Sequence, residues 1–241
     1  MVQGICSTSS LFLFVSEKNC STGGIIALAL GVKNRPVDEC ITRFVKLCDQ
    51  AFTPRELHKI PVMKKVAAFS HGSTYKTRPL HAALQDEFGD DALFGGRKKG
   101  DSRNFTKVAI TSTDEAGQKA IIFANYHHSG KDSRSYEHYR PSSPELEMRI
   151  WEAAAATSAA PSYFKPFYHG VAGRSYLDGA LYNNNPVRVA HREIPMLWPD
   201  VSSKAPDIFL SIGTGQNKAG IKHEMAAASE CVHYKLVNFE G

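Results

Sequence analysis

The 241 residues are enough for one α/β domain with a sizeable core, and 42% hydrophobic with 22% charged residues is ordinary for a soluble globular protein. The formal net charge of +5 is a mild basic bias that would help the chain approach an anionic membrane surface, but it is too small to predict nucleic-acid binding. Five cysteines without paired spacing argue against a disulfide framework and predict free thiols in a reducing compartment.

The sequence shows no signal peptide and no transmembrane segment. Its first apolar run, Leu11–Val15, is far shorter than the roughly 20 apolar residues of a membrane span, and no basic segment precedes it. We therefore expect an intracellular, cytoplasmic protein organised as a single domain over residues 1–241.

The first segment with candidate chemistry surrounds Ser21. The apolar run Leu11–Val15 is typical of a buried strand, and good helix formers follow the serine as far as Gly31. Strand, serine, small residues and helix are the plan of a nucleophile elbow, in which the serine hydroxyl is exposed on a tight turn. The unpaired N–H groups of the first helical turn, beginning with Thr22, favour negative charge there, as acyl transfer requires. An N-cap serine followed by helix-packing glycines would give the same pattern.

The middle of the chain alternates predicted helices and strands. Helices are expected from Pro36, over residues 80–88, and from Pro144 to Thr157. The first of these has five apolar residues on one face: Val37, Ile41, Phe44, Val45 and Cys48. Residues 107–113 and 119–124 read as two strands joined by a turn. This alternation predicts a mostly parallel sheet with helices on both faces.

A second candidate segment lies far along the chain. A short strand over residues 175–177 ends at Asp178, and Gly179 and Ala180 follow directly. A helix from Pro186 through Trp198 and a buried strand over residues 207–212 come next. An isolated Asp-Gly pair is usually a strand-end turn, so the segment needs its context to be interpreted as catalytic.

Together, the Ser21 elbow and the Asp178-Gly179-Ala180 segment resemble the patatin-like phospholipase family. Its members carry a Gly-x-Ser-x-Gly elbow and an Asp-Gly-Gly or Asp-Gly-Ala motif. Residues 151–164 and 211–215 resemble two further blocks of the family, so the similarity runs over about residues 19–215. The resemblance implies a three-layer αβα fold with a mostly parallel central sheet, incomplete at the N-terminal and C-terminal ends of this sequence.

The resemblance also implies a lipid acyl hydrolase, of phospholipase A or lipase type, that works through a Ser-Asp dyad without a cofactor or metal ion. Ser21 would be the nucleophile, Asp178 the proton acceptor and the Thr22 N–H an oxyanion donor. The small residues of the two motifs would be Gly23, Gly24, Gly179 and Ala180. The expected partners are a lipid or phospholipid ester and, transiently, a membrane surface, with no nucleic acid.

Two alternatives stay open. The family's glycine-rich oxyanion loop has no counterpart before Ser21, and Asn19 replaces the first motif glycine. Because a single oxyanion donor is worth about 10²–10³ in rate, a catalytically degenerate domain with weak or no activity is the main alternative. A Ser-Asp-His triad would need a later histidine, and three of them follow Asp178 outside any recognisable motif: His191, His223 and His233.

Overall fold

The computed structural model describes residues 2–7, 10–15, 22–53, 73–94, 106–126, 136–141, 143–183, 186–199, 208–212 and 234–236. Three predicted features lie outside the described residues: Ser21, the turn over residues 213–215, and the last two candidate histidines, His223 and His233.

Nine strands are described, and in chain order they are β1 Val2–Ser7, β2 Ser10–Val15, β3 Lys107–Asp114, β4 Ala120–Ala124, β5 Tyr136–His138, β6 Phe167–His169, β7 Arg174–Asp178, β8 Ile208–Ile212 and β9 Tyr234–Leu236. The described α-helices are α1 Thr22–Ala27, α2 Val37–Ala51, α3 Thr77–Phe88, α4 Ile150–Thr157, α5 Ala180–Asn183 and α6 Val187–Leu197. A π-helical turn, Leu28–Val32, continues α1. Within these ranges no helix has both the length and the apolar character needed to cross a membrane.

The central strands β3 and β4 are covered on both faces. All five residues of β4 are buried, and in β3 only the two end residues are half-buried. Alternate side chains point to opposite sides, so Ile121 and Phe123 enter a core shared with α1 to α4, whereas Ala120 and Ile122 enter a second core with α6. Helices on both faces of one sheet make the α/β, three-layer αβα fold that was predicted.

The sheet itself is mixed, so the prediction of a mostly parallel sheet is wrong. Among the described strands, β2 pairs with β3 and β4 with β5 in parallel, whereas the other six pairings are antiparallel. The physical reason is that β3–β4 and β6–β7 are linked by short turns, which impose antiparallel pairing. In the first turn, Asp114 Oδ1 accepts the N–H groups of Gln118 at 2.7 Å and Lys119 at 2.8 Å.

Helix α2 begins after Pro36 as predicted, but its predicted apolar stripe faces the core only in part, since Phe44 is half-buried against the core and most of the stripe is exposed. Three residues of the predicted face are exposed by more than half: Val37 at 60%, Ile41 at 58% and Val45 at 56%. The buried residues are Cys40, Leu47 and Ala51, about a quarter turn away around the helix. The core side therefore uses two small side chains that a search for large apolar residues passes over.

The helix predicted from Pro144 begins later, at Ile150. Residues Pro144–Leu146 form a separate 3₁₀ turn. Arg149 then acts as the N-cap of α4, and its N–H donates to Glu152 Oε2 at 2.8 Å, which is the backbone half of a capping box. Ile150 and residues 153–157 of α4, Thr157 among them, are buried.

Candidate active site

The ends of two strands meet at the same residue of β3. Strand β2 runs parallel to the first half of β3, with Val15 opposite Ile110, and β7 runs antiparallel to the second half, with Asp178 opposite Ser112. Because β4 occupies the other edge of β3, β2 and β7 share this edge and point toward each other. Their carboxyl ends are therefore separated along β3 by Thr111 alone.

Asp178 is buried at this junction, with 3% of its surface exposed. Its N–H donates to the carbonyl of Ala159 at 3.1 Å, and its own carbonyl accepts the Thr113 hydroxyl at 2.9 Å. The side-chain Oδ1 accepts the N–H of Ala180 at 2.7 Å, at the start of α5. The backbone and one carboxylate oxygen are thus both fixed, so the side chain is held in one orientation.

Gly179 is required because its backbone lies directly against β3. A Cβ at this position would be 2.2 Å from the carbonyl oxygen of Thr111, a distance that no side chain can occupy. The Asp-Gly pair is therefore more than a strand-end turn. Because Gly179 has no side chain, the backbone after Asp178 can lie against β3, where Asp178 pairs with Ser112.

The first turn of α1 is tied to the same point through α4. The Thr157 hydroxyl donates to the Thr111 carbonyl at 2.7 Å. Gly24 packs on Thr157 so closely that a Cβ there would be 2.7 Å from Thr157 Cγ2. A continuous path of contacts therefore runs from Gly24 through Thr157 and Thr111 to Gly179.

Of the remaining predicted site residues, some lie near Thr111, one lies outside the described residues, and one lies on a helix of the other core. Thr22, half-buried, and Gly23, buried, begin α1, and Ala180 begins α5 on the other side of Thr111. Ser21 directly precedes α1 but lies outside the described residues, so its distance from Asp178 stays a prediction. His191 is exposed on α6, whose buried residues belong to the core on the second face of the sheet.

Sequence reasoning missed two threonines of the site, Thr111 and Thr157. Both are buried, and the Thr111 hydroxyl has no hydrogen-bond partner among the described residues. The available signal was weak: a polar residue inside the apolar run of β3, and another at the end of a helix otherwise rich in alanine. Their pairing across 46 positions appears only when the chain is folded.

The chain is similar in sequence to several known phospholipases. Calcium-independent phospholipase A2-gamma of Homo sapiens is 29% identical over 210 residues, which is 87% of this chain and 25% of that protein. Phospholipase A I of Arabidopsis thaliana is 29% identical over 238 residues, covering 81% of this chain and 17% of the plant protein. The cGAMP-activated phospholipase of Vibrio cholerae is 26% identical over 200 residues, covering 80% of this chain and 50% of the bacterial protein.

The chain thus spans half or less of the length of these relatives. The family model for patatin-like phospholipases matches residues 20–191, which include the start of α1, the whole of β3 and the Asp178 turn. Because that match covers well over half of the sequence, the chain belongs to the patatin-like phospholipase family.

Proposed function

We propose that the chain is a lipid acyl hydrolase that cleaves carboxylic esters of lipids through Ser21 and Asp178. Membership of the patatin-like phospholipase family supports a lipid ester as the substrate. The observation that carries the proposal is the junction at Thr111, where β2, which leads toward Ser21, ends opposite the buried Asp178 turn.

In the proposed reaction, Asp178 accepts the proton of Ser21 while the serine oxygen attacks the ester carbonyl. Asp178 gives that proton to the departing alkoxide, which leaves as the alcohol, and an acyl-enzyme forms. Asp178 then accepts a proton from the water that hydrolyses the acyl-enzyme and returns it to the Ser21 oxygen. The hydrogen bond from Ala180 supports this role because it holds the carboxylate in place before the substrate arrives. The N–H of Thr22, at the start of α1, is the proposed donor to the developing oxyanion.

A catalytically degenerate domain is the second candidate. The twenty residues before Ser21 contain a single glycine, Gly4, instead of a glycine-rich loop. Because one oxyanion donor is worth about 10²–10³ in rate, a site without such a loop would turn over slowly. Correct folding with no measurable turnover in any lipid ester would favour this candidate.

The test is ester hydrolysis by Asp178→Asn. Asparagine keeps an oxygen that can accept the Ala180 N–H but cannot accept the serine proton, so we expect a loss of about 10²–10⁴ in rate with folding retained. The matched control is Asp86→Asn, which changes an exposed carboxylate on α3 and should leave the rate unchanged. If both variants hydrolysed esters at the wild-type rate, Asp178 would not be the base.

A further inference from the structure

Two loop segments lie side by side, and one of them comes shortly after Ala159, whose carbonyl accepts the N–H of Asp178. The N–H of Thr74 donates to the Ser162 carbonyl at 2.8 Å, and the N–H of Tyr75 donates to the Tyr163 carbonyl at 2.9 Å. Two residues further on, the N–H of Lys165 lies 3.3 Å from the hydroxyl of Thr77. Residues 73–77 and 162–165 therefore form one continuous surface.

This surface is basic and carries an exposed aromatic ring. The two segments contribute Lys76, which is half-buried, and Lys165, which is exposed; Arg78, also exposed, follows Thr77 directly at the start of α3. None of the three forms an ion pair with an acidic side chain of the described ranges. Neither residues 73–85 nor residues 159–177 contain an aspartate or glutamate. The fourth member is Tyr163, of which 44% is exposed. We call these four residues the docking surface.

Aromatic packing beneath the docking surface fixes its conformation. Tyr163 stacks on Tyr75 with ring centroids 6.1 Å apart, and the next residue, Phe164, is buried against Phe52 and Tyr75. Prolines at 161 and 166 restrict the backbone on either side. A surface ordered in advance loses little conformational entropy when it binds a partner.

The docking surface also lies close to the candidate active site along the chain. Ala159, three residues before Ser162, accepts the N–H of Asp178. Just past Asp178, α5 exposes two further apolar side chains, Leu181 at 52% and Tyr182 at 48%. Exposed aromatic and apolar residues, together with cations that form no ion pair within the described ranges, are typical of a protein surface that meets a lipid headgroup layer.

We infer that Lys76, Arg78, Tyr163 and Lys165 dock the protein on the headgroups of an anionic lipid bilayer, which would bring the Asp178 turn to the lipid. The choice of a bilayer as partner rests on the proposed function. The observations favour a bilayer over a nucleic acid because the cations are few, the net charge is only +5, and apolar side chains border the site. Each basic residue near such a bilayer contributes about a fivefold gain in affinity, and the attraction is screened by salt.

The experiment is co-sedimentation with phosphatidylcholine vesicles, with and without phosphatidylserine, using the Asp178→Asn protein so that lipid is not consumed. We expect binding only to the vesicles with phosphatidylserine, and a loss of roughly 100-fold in affinity when Lys76, Arg78 and Lys165 are all changed to Gln. The control changes three exposed cations on other helices to Gln: Arg43, Lys46 and Arg188. It removes the same net charge and should lose far less affinity.

Equal losses in the two triple variants, each with a wild-type unfolding midpoint, would overturn the docking surface. So would binding of the unchanged protein to an RNA oligonucleotide but not to vesicles. These outcomes are distinguishable from failure of the proposed function. A protein that hydrolyses a soluble ester but ignores anionic vesicles refutes docking alone, and one that docks through these residues but never hydrolyses an ester refutes the hydrolase alone.

Discussion

At the scale of single residues, the candidate site depends on how closely two glycines approach their neighbours. Gly179 lies on the backbone of Thr111, and Gly24 lies on the side chain of Thr157. The two contacts differ in kind, because a backbone carbonyl inside a central strand cannot move aside, whereas the methyl group of a threonine can shift slightly. The Gly179 contact is therefore the less tolerant of the two.

We predict that Gly179→Ala destabilises the protein by at least about 1–3 kcal/mol, the usual cost of forcing extra volume into a packed interior. The reason is the 2.2 Å separation between the added Cβ and the Thr111 carbonyl oxygen. Urea unfolding measures the effect. The control is Gly170→Ala, whose Cβ would have only an ordinary contact, 3.9 Å from Tyr168, and should change stability by less than about 0.5 kcal/mol. Equal stability of the two variants would contradict the close approach at Gly179.

The sequence is informative about the site only where a motif is local. Asp178 and Gly179 are adjacent in the chain, so they could be predicted together as one motif. Thr111 and Thr157 could not, because each acquires its role from a partner dozens of positions away. Local spacing carries no information about which backbone carbonyl a distant hydroxyl will meet.

At the scale of secondary-structure elements, helix α6 is attached to the sheet by a buried carboxylate. Glu193 is fully buried and accepts the hydroxyls of Tyr126 at 2.9 Å and Tyr136 at 2.6 Å. Nε2 of His138 lies 3.0 Å from the same carboxylate. Burial raises the pKa of Glu193, but the groups from His138, Tyr136 and Tyr126 outweigh burial and hold the pKa below its ordinary value of 4.5. The ionised form is therefore stabilised in the folded state.

A pKa that is lower in the folded state than in the unfolded chain makes the ionised carboxylate stabilising at neutral pH. That contribution is complete above the unfolded pKa, near 4.5, and is lost as the pH falls through the lower folded value. We predict that Glu193→Gln lowers the free energy of unfolding at pH 7 by roughly 1.5–3 kcal/mol, the worth of hydrogen bonds to a charged group.

Urea unfolding of wild type and Glu193→Gln at a series of pH values checks this prediction. The difference between the two proteins should shrink as the pH falls from 4.5 through the lower folded pKa, because Glu193 is then protonated first in the unfolded chain and next in the folded protein. Glu115→Gln, which changes an exposed residue of the β3–β4 turn, is the control and should follow the wild type at every pH. A difference that stayed constant down to the most acidic conditions would show that Glu193 is not held ionised.

Sequence patterns predict the buried strands correctly but not the buried face of every helix. Apolar runs predict β3 and β4 well because both strands are buried on both faces. The pattern misplaces the core face of α2 because Cys40 and Ala51 are small, and the larger Val37 and Ile41 are the exposed ones. Residue size indicates apolar character, but the shape of the neighbouring helices decides which face is buried.

At the scale of the whole molecule, alternation of strands and helices correctly predicts three layers. It does not predict strand direction, because hairpins such as β3–β4 reverse the chain between the helical segments. One antiparallel pairing, β7 with β3, is also what lets Asp178 face the end of β2. A strictly parallel sheet would carry the Asp178 end of its strand away from that position, so the mixed topology and the site are linked.

The central claim is that Ser21 is a nucleophile activated by Asp178, and its most direct test is mass spectrometry after reaction with a fluorophosphonate. Trypsin cleavage after Lys18 and Lys33 would release residues 19–33 as one peptide with Ser21 as its only serine. We predict one covalent adduct on Ser21 of the wild type, and little or none in Asp178→Asn, which lacks the base. An adduct on any other serine, or an unmodified 19–33 peptide from folded wild-type protein, would contradict the account.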